Sequence, residues 1–384
     1  VTQAAGTSVA VERARRFADD VVRPAAATID AEGRMPREVM EAMAAEGLIC
    51  PSLPEQLGGH ELAPVDAGLV TEAIGRACCS TRTIMTIQDA LVGQTLMRWG
   101  SEAHQRHLPD IAAGRRLAAF ALTEPEVGSD ARGITTRYEA DGAGFRLSGR
   151  KKWITFGGIA DLFLMVATGD DGPTVFLVER DAGGLATEPM EGLIGNRGTH
   201  VAEIRLDATP VGADAVVGRL GGAFPFVAGS ALDNGRYSVA WGSVGIIAEA
   251  TDLMCRRALE RHQFGAPIAD HQLIRGLIGD AKTSLHAARA LCLRAGELRA
   301  KRDPQAIVET TMAKVFASRA ANRAAADAVQ LFGGDGCSSR FPVERLLREA
   351  RILEIIEGTT QVLTSEIAKN ALRGVAPRPR TGDR

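Results

Sequence analysis

Apolar residues recur three to four positions apart over most of the chain, which is the spacing of amphipathic helices. Only the middle third alternates in short runs. From Val9 to Glu46 the spacing is helical, with Arg34-Met35-Pro36 as a break and a new helix start. Pro51-Ser52-Leu53-Pro54-Glu55-Gln56-Leu57-Gly58-Gly59 is a loop by its proline and glycine content. Helical spacing resumes over 64–98 and again from about Ser101 to Ala113. Between 118 and 220, apolar runs separated by Gly, Asp and Pro turns predict strands at 144–147, 162–166, 174–178 and 202–206. Helices return from about Gly222, at 246–259, 271–300 and 307–332. The last carries Met312, Val315 and Phe316 on one face and stops at Gly333-Gly334-Asp335-Gly336. The expected class is α+β: an α-helical domain over 1–117, a β domain over 118–221 and an α-helical bundle over 222–374. Residues 1–8 read as frayed, and 375–384, alternating Pro and Arg, as a disordered tail.

One stretch near the end, 351–361, carries candidate chemistry. Leu346, Ala350 and Leu353 form a helix stripe before it, and Leu363, Ile367 and Leu372 suggest another helix after it. Gly358 punctuates the join, and Thr359 or Thr360 can cap the second helix. Glu357 therefore sits at a helix-to-helix break among apolar neighbours. Taken alone, such a residue reads as a solvated helix end. Partly desolvated, it is a candidate general base. Glu354, one turn earlier, is the competing carboxylate.

Composition narrows the classes. The chain has 384 residues, 45% of them hydrophobic, enough for two or three packed domains. A net charge of -2 and 4% aromatics give no case for nucleic acid or an anionic membrane. Cys50, Cys78, Cys79, Cys255, Cys292 and Cys337 lack metal-ligand spacing and read as reduced, mostly buried thiols, so no metal is expected. No leader-like segment opens the sequence and no apolar run reaches the ~18 residues of a membrane span, so a cytoplasmic location is the expectation.

Six motifs in register resemble the acyl-CoA dehydrogenase family over nearly the whole chain. They are Pro-Glu-x-x-Gly-Gly at 54–59, Leu-Thr-Glu-Pro…Gly-Ser-Asp at 122–130, Trp-Ile-Thr at 153–155, Arg-His-Gln-Phe-Gly at 261–265, Gln-Leu-Phe-Gly-Gly at 330–334 and Glu-Gly-Thr at 357–359. The resemblance implies a helical N-terminal domain, a middle β-barrel-like domain, a C-terminal four-helix bundle and one FAD per subunit. It also implies a homodimer or homotetramer in which the neighbouring subunit completes the FAD site. By the matching positions, Leu122, Thr123, Ser129, Trp153 and Thr155 are flavin and pyrophosphate contacts. Arg261, Phe264, Gln272, Gln330, Gly333 and Gly334 are contacts to the adjacent subunit's FAD, and Thr359 and Gln361 match contacts to the adenosine-diphosphate portion of FAD. Glu357 matches the catalytic base. The alternative base position, used by some members, is Gly235 here. Cys337 stands where the family's Gly-Gly-x-Gly-Tyr pattern has its aromatic residue. The resemblance implies removal of the α proton of an acyl thioester by Glu357, a hydride passing to the flavin, and electron-transferring flavoprotein or another acceptor downstream.

Two stretches, 81–88 and 233–242, resemble the glutaryl-CoA dehydrogenase branch, in which the matching arginine and a nearby hydroxyl hold the acyl chain's distal carboxylate. Arg82 and Thr86, at i and i+4, are that pair here, and Arg236 is expected in the pocket wall. Ser238-Val239-Ala240-Trp241-Gly242 and Glu354-Ile355-Ile356-Glu357-Gly358 are closer to the hydroxymalonyl-acyl-carrier-protein dehydrogenases of polyketide pathways. The expected substrate is a short, carboxylate-bearing acyl group on an acyl carrier protein or on CoA. Two other classes stand beside this one: a flavin-dependent oxygenase on the same fold, which Glu357 disfavours, and a non-catalytic scaffold, which the retained flavin positions disfavour.

Overall fold

The computed structural model describes residues 9–373; the expectations for 1–8 and 375–384 lie outside the described residues. The first helical part comprises α1 (Val9–Phe17), α2 (Arg23–Glu32), α3 (Arg37–Ala45), α4 (Pro64–Ala77), α5 (Cys79–Met85), α6 (Gln94–Trp99), α7 (Glu102–Gln105) and α8 (Leu108–Ala112). Helix α2 stops on a left-handed Gly33, and α3 starts after Pro36, which fixes its own φ and cannot donate to a preceding turn. The helical region at 64–98 is three helices rather than one. Cys78 is extended between α4 and α5, and a wide π-type turn over Thr86–Gly93 joins α5 to α6. That turn is wholly buried. At its centre the Gln88 side chain donates to the Ala118 carbonyl and accepts from the Ala118 N–H, each at 2.9 Å, fastening the helices to the first strand.

The strands are β1 (Ala118–Ala121), β2 (Arg137–Asp141), β3 (Gly144–Ile154), β4 (Leu162–Ala167), β5 (Thr174–Glu179), β6 (Leu185–Pro189), β7 (Ala202–Gly212) and β8 (Val216–Val217). They form two four-stranded sheets in the orders β1-β4-β5-β8 and β2-β3-β7-β6. A shared core that includes Ala121, Leu147, Phe163, Met165, Phe176 and Ile204 lies between them. The sheets meet at one Arg137–Thr168 bridge, so the barrel-like domain is two ladders that touch at an edge. The four expected strands are present; β2 and β6 are edge strands that bury little, Tyr138 on β2 and no residue of β6.

The last part comprises α9 (Ala228–Glu260), a hairpin of β9 (His262–Gln263) and β10 (Ala266–Pro267), α10 (Gln272–Ala300), α11 (Ala306–Phe332), α12 (Val343–Leu353) and α13 (Thr360–Arg373). Helices α9, α10 and α11 pack on one another, and α12 and α13 complete the bundle against α11. Helix α9 begins well before the expected Ile246. Its glycines hide the helical pattern because they stand where neighbours touch the backbone: a Cβ on Gly242 would come 2.9 Å from Arg82 Nε. On α11 the buried stripe is Thr310, Ala313, Lys314, Ala317 and Ala321, while Phe316, expected on the same face as Val315, is 38% exposed. Small residues face the neighbouring helices, and the bulky ring turns outward. Among the described residues no helix is long and apolar enough to cross a membrane.

Candidate active site

Helix α12 ends at Leu353, and the chain turns through 354–358 before α13. Glu357 and Gly358 both have left-handed backbones, φ 56° and 99°. Thr359 Oγ1 accepts from the Val362 N–H at 3.4 Å and caps α13. Two cations hold the turn: Arg236 Nε donates to the Glu357 carbonyl at 3.1 Å, and Lys314 Nζ to the Gly358 carbonyl at 2.8 Å and the Glu354 carbonyl at 3.4 Å. Glu357 Oε2 is buried with no hydrogen-bond partner among the described residues. It lies over α9 at Gly235, where a Cβ would come 2.5 Å from Oε2. Gly235 thus does more than lack a basic side chain. It leaves the space that the Glu357 carboxylate fills. Burial pushes the Glu357 carboxyl up to about 7, opposed by the positive charges of Arg236, Lys314 and Arg82. Among the described residues the Glu357 backbone N–H has no acceptor. Glu354 is occupied elsewhere, accepting from Asn322 Nδ2 at 2.6 Å and Arg351 at 3.3 Å.

Arg82 is fully buried on α5. Its Nη1 donates to Thr86 Oγ1 at 2.6 Å, its Nη2 to Cys79 Sγ at 3.3 Å, and its Nε has no partner among the described residues. The Thr86 hydroxyl also meets Ser238 Oγ of α9 at 2.8 Å. No described carboxylate pairs with this guanidinium. A cavity of about 210 Å³ has Met85, Asp89, Ala90, Ser238 and Trp241 in its lining; Arg82 itself is not part of that lining. Burial raises the Asp89 carboxyl to about 6 against hydrogen bonds from Ser52 and Gln94.

The sequence-predicted cofactor residues form two separate groups. In the first, buried Leu122 gives its carbonyl to Lys151 Nζ at 3.0 Å, and the Thr123 carbonyl accepts from the Lys152 N–H at 2.9 Å. Glu124 is the knot of this group. It accepts from the Thr135 and Thr136 N–H groups at 2.6 and 2.9 Å and from Lys151 Nζ at 2.7 Å. Burial alone would raise the Glu124 carboxyl, but these donors hold it at about 2. Beyond it, Trp153 stands 54% exposed at the end of β3 with φ 61°, Thr155 is half-buried, and Ser129 is exposed. In the second group, Arg261, Gln272 and Gln330 are exposed. Phe264 is 96% exposed with φ 53°, and a Cβ on Gly333 or Gly334 would meet nothing within 4 Å. Thr359 and Gln361 sit at the start of α13. No described hydrogen bond joins the first group to the second. Sequence reasoning missed Lys314, Cys79 and Ser238. Only Lys314 left a signal, a charged residue within an Ala/Thr stripe of α11.

The chain matches the acyl-CoA dehydrogenase N-terminal domain over 8–115, the middle domain over 119–209 and the C-terminal domain over 226–372. It is 35% identical over 376 residues to a cyclohexane-1-carbonyl-CoA dehydrogenase of Geobacter metallireducens, covering 96% of this chain and 98% of that protein. It is similar in structure to FkbI, described as serving biosynthesis of the methoxymalonyl extender unit of a polyketide, with a TM-score of 0.87 and 32% identity, covering 94% of this chain and 99% of that one. It is also similar to a glutaryl-CoA dehydrogenase of Mycobacterium smegmatis, with a TM-score of 0.91 and 26% identity, covering 96% and 94%. The residues present fit the FAD of this family. An indole held out to solvent on a left-handed backbone, beside a half-buried threonine and a glycine-serine loop, offers a flat face and small donors to a flavin. With domain matches along nearly its whole length and a relative similar from end to end, the chain belongs to the acyl-CoA dehydrogenase family of FAD-dependent oxidoreductases.

Proposed function

We propose that this enzyme dehydrogenates a short acyl thioester bearing a second carboxylate, presented on an acyl carrier protein. The observation that carries this reading is Arg82, a fully buried guanidinium with no described carboxylate within ion-pair distance, although Glu357 and Glu349 feel its charge. A buried cation without a directly paired carboxylate is costly, and an anionic ligand reduces that cost. Thr86 and Cys79 aim its two terminal nitrogens. Two of the similar structures are named for dicarboxylic acyl groups, methoxymalonyl and glutaryl. A glutaryl-CoA-type substrate on free CoA is the second reading, favoured by the Arg82–Thr86 pair itself.

In the proposed reaction Glu357 takes the α proton of the thioester. Its unpartnered Oε2 is free to accept, and its raised affinity for protons matches a base working near neutral pH. The free Glu357 N–H is placed to stabilise the negative charge that develops on the thioester oxygen. Arg236 holds the carbonyl of the base from the other side. Bound FAD supplies the hydride acceptor. Leu122, Thr123, Ser129, Trp153 and Thr155 would hold it from one subunit and Arg261, Phe264, Gln272, Gln330, Gly333 and Gly334 from a second copy, while Thr359 and Gln361 would contact its adenosine-diphosphate portion. The almost fully exposed Phe264 supports this division. Electron-transferring flavoprotein, or another acceptor, would reoxidise the cofactor.

Arg82→Met tests the substrate reading. With the dicarboxylic thioester, kcat/KM should fall by about 1.5–3 kcal/mol, the range for a hydrogen bond to a charged group. With an unbranched monoacyl thioester it should change little. An equal loss on both substrates would contradict the reading. Comparing carrier-protein and CoA thioesters of the same acid separates the two presentations. Division of the FAD site between copies predicts that flavin is lost as the oligomer is diluted into monomers; a monomer keeping stoichiometric FAD would count against it.

A further inference from the structure

Lys314 is among the largest fully buried side chains of the molecule, and neither the proton transfer nor the carboxylate recognition uses it. A buried ammonium is expensive unless paired, and no described carboxylate lies within ion-pair distance of this one. Its bonds go to backbone carbonyls instead, those of Gly358 at 2.8 Å and Glu354 at 3.4 Å, which bracket Glu357. The segment it grips is strained, because Glu357 holds a left-handed backbone that costs a non-glycine residue about 1–3 kcal/mol and persists only when its surroundings enforce it. The charged groups facing Lys314 are Glu357, Arg236 and Glu354, and the Glu354 carboxylate is already engaged by Asn322 and Arg351. Glu357 is thus the anion left to answer the ammonium. Glu357 in turn is faced by Arg236 from α9, Lys314 from α11 and Arg82 from α5.

We propose that Lys314 is the positioning residue of the base: it clamps the 354–358 turn so that Glu357 faces the substrate, and its buried positive charge favours the ionised Glu357 carboxylate against the opposing effect of burial. This rests on Glu357 being the base. Burial draws the lysine itself down to about 8, so it remains mainly protonated at neutral pH, where the charge is needed.

The test uses FAD-loaded Lys314→Met, Lys314→Gln and Glu357→Gln beside the wild type. Single-turnover bleaching by an acyl thioester is followed from pH 6 to 9. Infrared titration reads the protonated carboxyl band that Glu357→Gln abolishes. Removing a cation near a carboxylate raises its pKa, so the band's midpoint in Lys314→Met should move up by about one pH unit or more. The rate should fall roughly tenfold at pH 6.5 and recover most of that loss by pH 9, because that shift in midpoint removes about nine-tenths of the anion below it. Lys314→Gln keeps an amide donor for the Gly358 carbonyl but no charge. It should show the same shift with a smaller loss at pH 9, and it carries the test if Lys314→Met does not fold. An unmoved midpoint in either folded variant, or a rate loss equal at every pH, overturns the proposal while leaving the base assignment intact. A Glu357→Gln enzyme that bleaches at the wild-type rate overturns both.

Discussion

Glu357→Gln is expected to slow flavin reduction in a single turnover by at least ~10²-fold, the low end for loss of a general base. The change is nearly isosteric and leaves the turn intact. Arg236 and Lys314 grip the backbone carbonyls of 354, 357 and 358, which the substitution does not touch. FAD content and thioester binding should therefore survive, and the loss should fall on the chemical step. The pH dependence carries a definite sign. The base must be unprotonated, and burial has raised its carboxyl to about 7, so the wild-type rate should climb as pH rises through about 7. The residual rate of the glutamine variant should be flat across that window. Glu354→Gln is the matched control. Its carboxylate is bound by Asn322 and Arg351 and accepts nothing from the site, so its rate should remain near wild type. A slow Glu354→Gln beside a fast Glu357→Gln would move the base one turn upstream.

Lys151→Met should destabilise the protein by about 3–5 kcal/mol, the cost of removing one partner from a buried ion pair. Lys151 and Glu124 are both almost completely enclosed and 2.7 Å apart, and the lysine also donates to the Leu122 carbonyl. Methionine fills the space but strands the carboxylate. Urea unfolding at pH 7 with saturating FAD measures the effect, and a change under about 1 kcal/mol would place the pair among marginal salt bridges. The acid limb gives a second check. Glu124 titrates near 2 in the folded chain and near its ordinary 4.5 when unfolded. Its contribution is therefore complete above pH 4.5 and is lost as pH falls toward about 2. Without Lys151 the folded value rises, and acid unfolding should begin at higher pH. Because the same carboxylate ties down Thr135 and Thr136, loosening it should also weaken retention of flavin beside Thr123.

What the sequence determined by itself was whatever depends on neighbours along the chain. Helix and strand segments follow from periodicity, and the break at 354–358 from Gly358 and the Thr359 cap. Arg82 and Thr86 lie one helical turn apart, so their meeting is local geometry, and the structure brings them to 2.6 Å. Strands β2 and β6 were not predicted: β6 buries none of its residues, and β2 offers only Tyr138 and Ala140 at alternate positions, too short a run to stand out. The start of α9 was hidden by glycines whose reason is contact with distant residues, Glu357 at Gly235 and Arg82 at Gly242. The electrostatic character of the candidate site was likewise decided by tertiary structure. Burial of Arg82 without a directly paired carboxylate, enclosure of Glu357 Oε2 and the grip of Lys314 on the turn each require α5, α9, α11 and the α12–α13 turn to converge. Desolvation is set by what surrounds a charge in space, and positions along the chain carry no record of it.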